Sequence, residues 1–164
     1  MKFKKVMTCI SIIAVMFYCL GLFFSLNVEK EVTDGNFGFT ELLIHNLTSE
    51  MFSILLGIIT LGVYSMMYLF LNFFSMGSIT SSLMTEKSIV DVLSLFIVHG
   101  IFEIPAMILT VALGSYLPWR IISMFKKKEG FILILKQMFK ILILILVLTI
   151  AAAITEAFVT PKLI

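Results

Sequence analysis

Four polar side chains interrupt the apolar stretches of this sequence where a catalytic, ion-binding or packing role is chemically possible: Asn72, His99, Glu103 and Glu156. His99 and Glu103 are four residues apart, so on a helix they share a face and can meet. Gly100, between them, would let a neighbouring helix come close. Pro105 has no backbone N–H, which frees the carbonyl of Ile101 and asks for another partner or a kink. His99, Glu103 and Glu156 would supply N, O and O donors, and three protein ligands plus water is the pattern of catalytic zinc. The H-E-x-x-H spacing of zinc peptidases is absent, however. The same residues suit two other roles. One is a water-filled cavity that handles protons or ions. The other is a buried hydrogen-bonded network that fixes helix packing. The packing network is the preferred reading, with Asn72, His99, Gly100, Glu103, Pro105 and Glu156 as its members. Catalytic or metal-ligand roles for His99, Glu103 and Glu156 are the alternatives. No cofactor is expected; zinc is the metal considered for this donor set.

The elements that must position these groups follow from composition. The chain has 164 residues, 60% hydrophobic and only 13% charged, with a mean hydropathy of +1.13. Soluble domains run about 45–50% apolar and about 25% charged. No globule of this size has interior for so many Leu, Ile, Phe and Met side chains. A soluble enzyme, a disordered chain and a nucleic-acid module are therefore excluded, and an all-α, polytopic membrane bundle is expected. Cys9 and Cys19 are ten residues apart in the first apolar run, about 15 Å on a helix, too far to bridge. They read as membrane-facing hydrophobes.

Five spans are expected in one integral membrane domain, over about 6–26, 42–61, 62–79, 89–113 and 137–158. Lys2, Lys4 and Lys5 precede the first and put the N-terminus in the cytoplasm. A cleaved signal peptide would have a shorter apolar core and a small-x-small exit; Phe24-Ser25-Leu26-Asn27 lacks one. Asn27 to Glu50 is polar, with Glu29, Glu31, Asp34, Glu41 and Glu50 against Lys30. It reads as an outer loop over 27–41 and the acidic approach to the second span, either a solvated face or a partner contact. The long uncharged stretch that follows reads as two short helices with a tight turn near Gly57 to Gly62, or as a re-entrant hairpin. Residues 116–136, with Arg120, Lys126, Lys127, Lys128 and Lys136, form a basic cytoplasmic loop, part of which could be an amphipathic helix on the inner leaflet. The C-terminus is then outside. At about 1.5 Å per residue, His99 lies about 12 Å and Glu103 about 18 Å below the outer surface. Asn72 lies about 10 Å down and Glu156 about 7 Å. His45 sits at the outer interface as part of a polar helix start.

The block His99-Gly100-Ile101-Phe102-Glu103-Ile104-Pro105-Ala106, followed by an apolar run to Gly114, resembles the signature of the stage II sporulation protein M family. Asn46 before a long apolar run broken by Gly57, Asn72 with Gly77, and the closing Glu156-Ala157-Phe158-Val159-Thr160-Pro161 fit it as well. The resemblance covers about Leu42 to Pro161. His45-Asn46 stands where a pair of Asn is common, and Phe73 where Gly is expected. The resemblance implies one of two settings. In sporulation, the protein would be a scaffold that recruits peptidoglycan hydrolases to the septal membrane during engulfment. In the branch encoded with circular bacteriocins, it would take part in maturation, export or immunity. The short chain tilts toward the second, and the Lys- and Ile-rich composition suggests a Gram-positive source. The expected function is thus a non-catalytic partner of other membrane proteins. The rivals are an intramembrane metal-dependent peptidase or ligase using His99, Glu103 and Glu156, and a small transporter with a polar cavity.

Overall fold

The computed structural model describes residues 3–24, 38–127 and 131–159. Among these, five helices follow one another: α1 (Phe3–Phe23), α2 (Phe39–Ile59), α3 (Val63–Leu83), α4 (Ile89–Lys127) and α5 (Phe131–Phe158). The protein is an all-α bundle. Four helical stretches are long and apolar enough to cross a membrane: Phe3–Phe23, Phe39–Ile59, Gly100–Met124 and Ile134–Phe158. α3 is as long as α1 and α2, but Ser65, Asn72, Ser75, Ser78 and Thr80 dilute its apolar character.

Local chemistry sets the helix starts. The Gly38 N–H donates to the Glu41 carboxylate at 3.3 Å, so α2 begins before the expected Leu42. Ser88 and Asp91 make a reciprocal cap at the head of α4. The Asp91 N–H donates to the Ser88 hydroxyl (3.3 Å), which donates to the Asp91 carboxylate (2.7 Å). The α2–α3 turn lies at Thr60-Leu61-Gly62, where Leu61 (φ 55°) and Gly62 (φ 96°) are both left-handed. The Gly62 N–H donates to the Gly57 carbonyl at 2.7 Å. The Thr60 hydroxyl accepts from the Tyr64 N–H at 3.0 Å and so caps α3.

α4 is the axle of the bundle and packs against each of the other four helices. One core cluster joins Val6, Ile10 and Ala14 of α1, Leu69 and Phe73 of α3, and Met107, Val111 and Ala112 of α4. The other joins Ile54 of α2, Leu109, Leu113 and Leu117 of α4, and Ile145 of α5. Meanwhile Val15, Met51, Met67, Ile97 and Val147 point outward and exposed, one from each helix. An apolar outer face on every element is what a bilayer solvates.

Two differences from expectation stand out. The fourth helix does not end near Leu113. It runs 39 residues through Pro105 and Pro118 to Lys127, about 58 Å against the roughly 30 Å of a hydrocarbon core. Leu117 and the start of α5 (Ile134, Met138, Ile141) bury one another's apolar faces, which keeps both helices going past the span ends expected from sequence. The basic segment 116–136 is accordingly helical at both ends rather than a loop. The close helix approach expected at Gly100 also lies elsewhere. A Cβ at Gly100 would meet only Ile104 and Phe96 of α4 itself. The tight crossings are Gly21 with Gly77 (α1–α3) and Gly57 with Gly114 (α2–α4).

Candidate functional site

The polar groups at the centre of the bundle enclose a cavity of about 30 Å³, room for one or two water molecules. α2 contributes His45, Asn46, Ser49 and Glu50; α3 contributes Tyr68 and Asn72; α4 contributes Glu103; α5 contributes Thr149. Helical spacing produces this convergence. Asn46 and Glu50, Tyr68 and Asn72 are each four apart and so share a helix face.

Glu50 is only 4% exposed. The Thr149 hydroxyl, itself buried, donates at 2.7 Å to Glu50 Oε2 and at 2.9 Å to the Ile145 carbonyl. One proton thus serves two acceptors. The Asn72 amide donates to the Tyr68 carbonyl at 2.8 Å, which ties it to its own helix. Glu103 is half-buried and has both Glu50 and Glu156 as electrostatic neighbours. A buried carboxylate is tolerated only when hydrogen-bonded, paired or neutralised by a proton, so neutral donors, water, a cation or protonation must satisfy this cluster.

A second space begins where the first ends. Asn72 and Glu103 also floor an open cleft of about 760 Å³ between α3 and α4. Its walls are apolar, with Leu71, Met76, Ile79, Leu83, Val92 and Phe96, and Glu86 and Lys87 stand at its mouth. Gly100 borders it and, lacking a side chain, leaves it wide.

The residues singled out in the sequence fall as follows. Asn72 and Glu103 line both spaces, and Gly100 lines the cleft. Pro105 lies within the unbroken α4. Glu156 is half-buried on α5, outside the cavity lining but within electrostatic reach of Glu103. His99 is helical, and its side chain lies outside the described residues, so the His99–Glu103 pair and the His99/Glu103/Glu156 donor set do too. Among the described residues, no three His, Cys, Asp or Glu side chains group to hold a metal ion.

The sequence reading placed Glu50 on the acidic approach outside the membrane. The structure corrects this: α2 starts at Phe39, which carries Glu50 three turns into the bundle. Tyr68 and Thr149 were missed altogether. The signal for Glu50 was present. Asn46, Ser49, Glu50, Ser53 and Gly57 recur at three- and four-residue spacing, a polar and small stripe on a helix that is otherwise apolar. Thr149, alone among Leu, Ile and Ala, gave no such signal.

Comparison with known proteins bears on the family of the chain. The chain is 29% identical over 168 residues to an uncharacterized protein of Methanocaldococcus jannaschii, covering 93% of this chain and 94% of that protein. No solved structure matches it. The family described as stage II sporulation protein M matches residues 5–161, nearly the whole bundle. By that match, the chain belongs to the stage II sporulation protein M family.

Proposed function

We propose that this protein is a non-catalytic membrane partner that receives a transmembrane helix of another protein in the α3–α4 cleft. The observation that carries this reading is the cleft's construction: a lateral opening of about 760 Å³ with mainly apolar walls, to which Ser75 and Thr80 also contribute, and with Asn72 and Glu103 on its floor. Lipid tails match the walls but offer no hydrogen bond to the Glu103 carboxyl or the Asn72 side-chain oxygen. A helix bearing a basic or amide side chain at that depth satisfies both. The partners suggested by the family are exporter or biosynthesis proteins of a circular bacteriocin, in maturation, export or immunity, or the septal peptidoglycan hydrolase complex of engulfment. A photo-crosslinking residue at Ile79, exposed in the cleft, should yield one defined protein adduct in the native host. The same residue at Val15, on the outer face of α1, should yield only lipid adducts. Lipid adducts alone at Ile79 would sink the proposal.

A second reading, a proton- or ion-handling bundle, draws on the enclosed cavity with Glu50 and Glu103 on its wall. It differs in what it requires of Glu103, as the substitutions discussed below show.

A further inference from the structure

We propose that the notch between the end of α4, the start of α5 and the first turn of α1 binds an anionic phospholipid. Arg120 and Lys140 would hold its phosphate, with the acyl chains along the bundle. The notch measures about 520 Å³, many times the roughly 30 Å³ share of one liquid water, so it has room for a bulky occupant. Among the described residues its charged and amide side chains are Arg120, Lys140 and Gln137, and its floor is Leu113, Leu117 and Ile141. Two cations and an amide above an apolar floor complement an anion carried on hydrocarbon. A basic pocket between helices on the cytoplasmic side is the usual form of a lipid headgroup site.

Depth supports a lipid over a soluble anion. Lys140 precedes Phe158 by 18 residues, about 27 Å, close to the roughly 30 Å of a hydrocarbon core. With Phe158 at one interface, Lys140 is at the other. Trp119, beside Arg120, is 53% exposed, as aromatic side chains at a headgroup boundary are. The Phe3 ring packs edge-on to Tyr116 at 5.3 Å, and the Arg120 guanidinium lies 6.0 Å from the same Tyr116 ring. These contacts bring Lys4 and Lys5 to the same end of the bundle, which adds to the positive field there.

The test is lipid retention by the purified full-length protein. It is reconstituted in nanodiscs of phosphatidylcholine doped with phosphatidylglycerol, and bound lipid is read by native mass spectrometry. The wild type should retain phosphatidylglycerol preferentially. Lys140→Glu should lower that retention at least about fivefold, the factor that about 1 kcal/mol per basic side chain near an anionic surface implies. Lys140 is exposed, so the change disturbs little packing, and Arg120→Gln is the second variant. Lys136→Glu, an exposed neighbour outside the notch, should leave retention unchanged. Equal retention by Lys140→Glu and Arg120→Gln would overturn the site. So would equal losses from Lys136→Glu and Lys140→Glu, which would mean a diffuse charge effect. Displacement of the lipid by excess inorganic phosphate would make it a free-anion site instead.

Discussion

At the scale of single residues, the central carboxylates decide between the readings. If Glu103 completes the cleft floor and the packing of the polar core, Glu103→Gln should be mild, because the amide keeps the shape and still hydrogen-bonds. Glu103→Leu should lower stability by about 1–3 kcal/mol, because it sets an apolar side chain against the polar lining of the cavity. Thermal unfolding in detergent and the protein level in cells are the measurements. A proton- or metal-handling role reverses the order. Glu103→Gln would then abolish function at normal protein level, since an amide neither ligates nor accepts a proton well. Stoichiometric zinc, lost on His99→Ala, would favour the enzymatic alternative. Glu50 gives an independent check. Glu50→Gln keeps an acceptor for the Thr149 hydroxyl 2.7 Å away, whereas Glu50→Ala removes it and leaves a void. Glu50→Ala should therefore melt well below Glu50→Gln, and equal melting points would show that the Glu50–Thr149 bond carries no stability.

Between residues and the whole molecule stand the helix crossings, where glycine sets the distances. A Cβ on Gly77 would meet the Tyr18 carbonyl oxygen, and one on Gly21 the Phe74 carbonyl oxygen. Both obstacles are backbone, which cannot turn aside as a side chain can. Gly77→Val should thus force α1 off α3 and destabilise by about 1–3 kcal/mol, the range for overpacked cores. Gly38→Ala, with nothing near its Cβ, is the control. Thermal unfolding distinguishes them, and equal melting temperatures would contradict the α1–α3 packing. At Gly57 the same geometry joins three helices. A Cβ there would meet Ser65 Oγ, the hydroxyl that donates to the Ser53 carbonyl at 2.7 Å. This junction holds the α2–α3 hairpin against α4 below the polar cavity.

For the whole molecule, charge is sorted by end. Lys4, Lys5, Arg120, Lys126, Lys127, Lys136 and Lys140 lie toward one end of the bundle, through the Phe3–Tyr116 contact and the α4–α5 pairing. Glu41, Glu86, Asp91 and Glu156 lie toward the other, where Lys87 is the one cation among the described residues. The positive-inside rule predicts that the basic end is the cytoplasmic one. With α1 to α5 antiparallel in succession, a reporter fused after Ile164 should be active only outside the cell. Cytoplasmic activity of that fusion would require an even number of crossings, with α3 the helix to re-examine, because its serines and Asn72 make it the least apolar of the set.

Much of this was open to a sequence reading. Apolar runs of about 20 residues between charged segments dictate membrane helices, since only internally hydrogen-bonded elements survive in hydrocarbon. The block from His99 to Pro105 pointed to the family, and Asn72 and Glu103 stood out because polar groups are costly in lipid. Three things depended on tertiary structure. Glu50 sits at the edge of an acidic segment, and its burial rests on where α2 starts and on Thr149 of α5, 99 residues away. The length of α4 depends on α5 covering Leu113 and Leu117, which no local signal announces. The cleft beside Asn72 and Glu103 is formed only when α3 and α4 come side by side, and Gly100 fills none of it. Composition and spacing determine which segments enter the membrane, because transfer to lipid is a property of each segment by itself. Which polar groups meet there is a property of pairs of helices, and only their packing decides it.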